Sequence, residues 1–265
     1  MFFRLSTWAL ATVLFVVIFG ATVGGLALGR ARQRDEDETG LRESSGVLQG
    51  ALLGFMGLIL AFGLSLALGR HDARRVSIVD EANAIGTTYL RAQTLAEPYR
   101  SKSLALLVDY TDVQLRLTNE VPGSDAAQRS VDEGSALQRD LWALNGQAVE
   151  ADPTGTAPRL YEDSLNQMID QQTVRVAGLN NRVPTEVLLL QLIGSALAMF
   201  LLGLHVGVLG RSLAPLLLAA GLVTSLLFVT FDLDRPTRGF ITIPDTPLTA
   251  LRESMNEPPA ASPSN

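Results

Sequence analysis

Four stretches of this chain carry almost no charge: residues from about 7 to 29, 46 to 69, 186 to 210 and 212 to 231. Each is long enough to cross a hydrocarbon core of ~30 Å, which needs ~20 residues at ~1.5 Å rise. Helices buried in a soluble core rarely run that far without a charge. The pattern therefore predicts four membrane-spanning helices. The first stretch follows MFFRLSTW, a start with a single arginine. Its apolar part exceeds the ~7–15 residues of a signal-peptide core, and no small-residue cleavage pattern follows, so it reads as a retained span.

Between the second and third stretches lies a polar region, 70–185, patterned as helices throughout. Val76, Val79, Ala82, Ile85, Tyr89 and Leu90 lie close to one helical face, and Leu104, Leu107, Val108, Thr111 and Leu115 repeat the spacing. Val131, Gly134, Leu137, Leu141, Leu144 and Ala148 form a near-heptad stripe; Leu160, Tyr161, Leu165, Met168 and Ile169 form a fourth. Turn chemistry separates them at Glu97-Pro98, at Val121-Pro122-Gly123-Ser124 and at Ala151-Asp152-Pro153-Thr154-Gly155. Four amphipathic helices can bury their apolar faces against one another. No strand pattern and no internal repeat is visible.

The fold class is therefore all-α, with four transmembrane helices and a helical cytoplasmic region between the second and third. The chain divides into a first transmembrane pair (1–69), the helical region (70–185), a second pair with its exit motif (186–240) and a tail (241–265). The first pair is joined by RARQRDEDETGLRESS, a solvated loop, and the second by little more than Gly210-Arg211-Ser212. Pro215 sits in the first turn of the last span, where its missing N–H costs little. The tail holds five prolines among small polar residues and is expected to be disordered at its end.

Composition narrows the function. Charged residues are 18 % of the chain, against about a quarter in an ordinary soluble domain, and mean hydropathy is +0.24. There are no cysteines, which excludes disulfides, thiolate metal sites and cysteine nucleophiles. No basic stripe interleaved with aromatics suggests nucleic acid. No H-E-x-x-H, no phosphate-cradling glycine loop and no nucleophile with its base is present, so neither metal nor cofactor is expected and an enzyme is disfavoured. The spans hold no Asp, Glu, Lys or Arg in their middles, where a charge would mark a coupled ion or proton path. A pore would instead be lined by backbone, glycine and hydroxyls such as Ser65, Ser195, Thr224 and Ser225. The two histidines read as a headgroup or solvent contact (His71) and an interhelical hydrogen bond (His205).

Orientation follows the basic residues. The side holding both termini and the middle region carries Arg4, Arg70, Arg74, Arg75, Arg175, Arg182, Arg235 and Arg238 near span ends; the other carries Arg30, Arg32, Arg34, Arg42 and Arg211. The bias places both termini in the cytoplasm.

Three groups of residues are candidates for function. In the second span Gly46, Gly50, Gly54 and Gly57 line one face and Gly63 follows; Gly20 with Gly24, and Gly203 with Gly207, repeat the motif elsewhere. Such a face serves close helix packing, subunit contact or a glycine-lined pore. Beyond that span, Asp80, Glu81, Asn83 and Arg91 form a polar cluster, with Asn83 and Thr87 on one face and Thr87 and Arg91 likewise. It reads as helix-to-helix hydrogen bonding or as a charged vestibule acting on ions through its field. Finally, Asp232 and Asp234 stand at the C-terminus of the last span, where the helix dipole disfavours acids by ~0.3–1 kcal/mol each. Buried and unpaired they would cost more. An ion-pair latch with Arg74, Arg75, Arg182, Arg235 or Arg238 is therefore expected, and Pro236 ends the helix by restricting Arg235.

Three strings, LLGFMGLILAFGLSLA, DEANAIGTTYLRA and FDLDRPTRGFI, occur in that order. Together they resemble a bacterial family of integral membrane proteins called bestrophin-like, over about residues 45–255. Bestrophins are pentameric anion channels with four spans, cytoplasmic termini and a helical cytoplasmic region between spans two and three. The resemblance thus implies a homo-oligomer, a pentamer, in the lipid of the bacterial inner membrane, with small ions passing through it. The second span lacks the aromatic and proline pore-neck motif of true bestrophins. Against the channel stands a membrane-anchored interaction or sensory module that conducts nothing.

Overall fold

A computed structural model describes residues 6–32, 41–210 and 212–260, and the backbone alone for 41–48. Among the described residues every regular element is a helix. They are α1 (Thr7–Arg32), α2 (Leu41–Ala92), α3 (Tyr99–Asn119), α4 (Asp125–Ala151), α5 (Thr156–Asn180), α6 (Thr185–Leu209), α7 (Leu213–Leu233) and α8 (Thr246–Ser254). Four helical segments among the described residues are long and apolar enough to cross a membrane, and each overlaps one of the four apolar stretches of the sequence.

The chain forms two compact units: 1–70 with 182–242, and 71–181 with 243–265. The 52-residue helix α2 contributes its first part to the first unit and the rest to the second.

In the first unit the buried side of α1 reads Leu10, Leu14, Ile18, Thr22, Gly25 and Gly29. Steps of three and four residues keep these on one stripe. α6 meets that stripe backbone to backbone. A β-carbon on Gly25 would overlap the carbonyl of Phe200, and one on Gly29 that of Leu204. Reciprocally, Gly203 and Gly207 lie against the carbonyls of Thr22 and Leu26. In lipid, association of this kind gains from van der Waals contact, since lipid tails are as apolar as leucine. The glycines of α1 that make the contact are Gly25 and Gly29. Gly24 has only the Phe200 ring, at 3.9 Å, and Gly20 has nothing within 4 Å. α6 ends at Gly210, whose φ of 63° is the left-handed cap that glycine adopts without strain. α7 starts on Ser212, which accepts the N–H of Ala214. Arg211, between them, lies outside the described residues.

In the second unit, Ile85, Leu107, Tyr110, Leu141, Tyr161, Leu165 and Met168 form the core, closed by Leu248 and Met255. Ser124 caps α4 by accepting the N–H of Ala127 at 3.2 Å. The buried side of α2 differs here from the expected one. Val76, Val79 and Leu90 are 56 %, 40 % and 55 % exposed, while Arg74, Ser77, Glu81 and Thr88 turn inward beside Ile78, Ala82 and Ile85. A polar network in the core sets this rotation.

The proline-rich tail contains a helix. Pro247 lies in the first turn of α8, where a proline needs no N–H partner. Leu248 inserts into the core, Arg252 donates to the Asp112 carboxylate at 2.7 Å, and Tyr89 donates to the carbonyl of Met255. The expected disorder at the chain end falls on residues 261–265, outside the described ones.

Candidate functional site

The exit of the last span is the most buried polar region of the first unit. Asp232 and Asp234 are both fully buried. Each carboxylate takes a main-chain N–H from a neighbouring segment. Asp232 Oδ2 accepts from Ile241 at 2.9 Å, and Asp234 Oδ1 accepts from Val183 at 3.0 Å. The chain returns so close to Asp232 that a β-carbon on Gly239 would stand 2.6 Å from its carboxylate. Asp234 is the C-cap of α7, and the N–H of Arg235 turns back to the Asp232 carbonyl at 2.9 Å. Unfavourable at a helix C-terminus, these acids are offset by donors they capture from elsewhere in the chain. Charge-assisted bonds of this kind are about twice as strong as neutral ones. Arg235 is also buried, at 4 % exposure.

Within the second unit Arg74 serves a helix end. Its guanidinium donates to the carbonyls of Gly178, at 3.2 Å, and Asn181, at 2.8 Å, in and just after the last turn of α5. A cation there complements the dipole and the last carbonyls. Arg75, one residue on, is exposed.

The cluster read as a vestibule is split by the helix. Asp80 and Asn83 are exposed. Arg91 donates to the Leu160 carbonyl and to Asp163 Oδ2, at 2.6 and 3.0 Å. Glu81, 100° round from Asp80, is fully buried and pairs with Arg175, itself 1 % exposed. Arg175 also donates to the Gln114 carbonyl and side-chain oxygen and to Thr118. Gln138 extends the network to the Tyr110 hydroxyl and to Gln172. Gly134 makes room for it: a β-carbon there would stand 2.8 Å from Gln172 Nε2 and 3.0 Å from Gln114 Nε2. Burial raises the pKa of Glu81, and the charge of Arg175 opposes that rise. Burial also pushes the Tyr161 hydroxyl up to about 12 and that of Tyr110 further, so both remain protonated. Sequence reasoning counted Arg175 only as a basic residue near a span. The overlooked signal was glutamine recurring among the apolar positions of α3, α4 and α5.

In the second span, β-carbons on Gly50, Gly54 or Gly57 would meet nothing within 4 Å. Gly46 falls among residues whose side chains are outside the described ones. Gly63 is different, because its missing side chain is replaced by the amide of Gln191 from α6. Of the hydroxyls, Ser65 is exposed and Ser195 is 2 % exposed; Thr224 and Ser225 donate to the carbonyls one turn back. His71 lies 3.7 Å from Asp72, and His205 is half-buried. Among the described residues no three of His, Cys, Asp or Glu gather as a metal ion would require.

A family profile described as Bestrophin-like domain matches residues 7–248, nearly the whole chain. This protein belongs to the Bestrophin-like family. The bestrophin-like chain also has the fold of a crystallised bacterial bestrophin homologue from Klebsiella pneumoniae carrying one substitution. The TM-score is 0.61 at 14 % identity, covering 92 % of this chain and 94 % of that one. No curated protein matches it. Family and fold agree with the four spans and the helical second unit, and together they make this a membrane protein of bestrophin-like architecture.

Proposed function

We propose that this bestrophin-like protein is a homo-oligomeric anion channel of the bacterial inner membrane, with both termini and the second unit cytoplasmic. One observation carries the reading. Among the described residues, no other part of the chain comes within 4 Å of where β-carbons on Gly50, Gly54 and Gly57 of α2 would stand. Glycine costs a helix about 1 kcal/mol relative to alanine. Lipid gives nothing back for that cost, since any aliphatic side chain would face it as well. A bare glycine face is useful against a second copy or against water and ions. The same helix exposes an apolar stripe, Val76, Val79 and Leu90, in the second unit, which also suits a neighbouring copy.

In this reading each copy contributes α2 to a central path whose walls are backbone, glycine and hydroxyl. The exposed Asp80 and Asn83 belong to the cytoplasmic approach to that path, with Arg91 on the next turns. Asp232 or Asp234 is the acidic side of an ion-pair latch at the end of the last span, with Arg235, Arg74 and Arg75 as its candidate partners. The pentameric state follows the family resemblance.

The mass of the detergent-solubilised protein tests assembly: a ring of a few copies supports the reading and a monomer overturns it. Chloride efflux from reconstituted liposomes tests conduction. An assembled ring with no efflux would favour the membrane-anchored interaction module.

A further inference from the structure

Gln191 of α6 is a polar side chain inside a span, and it is fully buried. Its Nε2 donates to the carbonyl of Ile59 on α2 at 3.0 Å. That carbonyl is also the helical acceptor for the N–H of residue 63, four positions on. The amide reaches it because residue 63 is glycine; a β-carbon there would overlap the amide itself. Three residues further along α6 the relation reverses. Gly194 makes room for Met56 of α2, whose Cε and Sδ stand 2.5 and 2.7 Å from where a β-carbon would be. The two helices are thus pegged reciprocally: methionine into glycine, glutamine into glycine.

The pegs differ in what they specify. Methionine is flexible and apolar, and it fills whatever space it is given. The glutamine bond is directional, and an amide left unpaired in lipid is costly. Met56 and Gly63 are one heptad apart and share a face of α2. Gly54 and Gly63 are nine residues apart, two and a half turns, so they stand about 180° apart round the helix. A rotation of α2 by one residue would set Phe62 or Leu64 against the amide and break the bond.

We infer that Gln191 is a positioning residue: by bonding Ile59 at the Gly63 notch it fixes the rotation of α2, and so decides that the Gly50, Gly54 and Gly57 face points away from the rest of the subunit. What that face then does rests on the channel reading above.

The experiment separates the two. The natural absence of cysteine allows spin labels at Gly54→Cys and Leu197→Cys, the latter an exposed position on α6. The pair is read by pulsed electron resonance in liposomes at sparse labelling. Gln191→Met keeps the length of the side chain, suits lipid and removes the donor. Gly63→Ala presses on the amide from the other side. In both, the label-to-label distance distribution should at least double in width, while Gly57→Ala leaves it unchanged. An unchanged distribution in Gln191→Met overturns the positioning role, whatever happens to flux. A changed distribution with unchanged chloride efflux upholds the positioning and overturns the glycine face as the path.

Discussion

Asp234 accepts the main-chain N–H of Val183 at 3.0 Å, joining the end of α7 to the residues just before α6. The carboxylate is fully buried. Replacing it with alanine leaves that N–H buried without its acceptor, a loss of about 1–3 kcal/mol. Asp234→Asn keeps an oxygen in place and should lose less. Thermal unfolding in detergent, followed by helical circular dichroism, ranks the three proteins; alanine and asparagine falling together would mean that the bond contributes nothing.

The latch has its own test. Asp232→Arg should lower the melting temperature or disperse the assembly. A second, compensating change to aspartate at Arg74, Arg75 or Arg235 should restore it at the true partner and at no other position. Size-exclusion profiles and melting curves of the double variants are the readout; absence of rescue at every one of these arginines removes the latch.

The Glu81–Arg175 pair makes stability depend on pH. Burial raises the folded pKa of Glu81 above its ordinary 4.5, with Arg175 opposing. A carboxyl shifted this way binds its proton more tightly when folded. Its contribution is therefore present below about pH 4.5 and is lost as pH rises through the folded value. Glu81→Gln should remove that decline, so its unfolding midpoint should fall less between those limits than that of the unmodified protein. Arg175→Met alone should cost about 3–5 kcal/mol by stranding Glu81, and Glu81→Leu with Arg175→Met should recover much of the loss.

The two sets of glycines should respond oppositely to one methyl group. Gly25→Ala or Gly203→Ala forces a β-carbon into a facing carbonyl and should destabilise the first unit by about 1–3 kcal/mol. Among the described residues a β-carbon at Gly54 or Gly57 meets nothing within 4 Å, so alanine there should gain helix propensity, about 1 kcal/mol. Melting temperature should therefore fall with the first pair and hold or rise with the second. A loss of assembly or flux in the second pair, without a fall in melting temperature, belongs to what that face does between copies.

Much of the architecture was legible in the pattern of residues. That four helices are apolar and long enough to cross a membrane was legible because a bilayer demands a continuous apolar length, a property of sequence alone. The middle helices were found because prolines, glycines and a serine cap mark their ends. The tail helix was hidden, because nine residues among prolines have no stability of their own. It exists because Leu248 and Met255 enter a core built by α2 and α3. Asp232 and Asp234 were recognisable as anomalous from the helix dipole, whereas the N–H groups they hold, at Ile241 and Val183, could not be read from spacing.

By itself, then, the sequence determined which segments live in lipid, which are helical and where they turn, since solvent and backbone act on each segment separately. Only the tertiary structure decided which side of each helix faces inward. Apolar spacing favoured Val76, Val79 and Leu90, yet Glu81 is inside because Arg175, far along the chain, meets it there. One glycine is a seam, another a notch and a third a bare face, and nothing in a glycine's own chemistry tells these apart. The difference lies in what another helix brings within reach of its missing side chain.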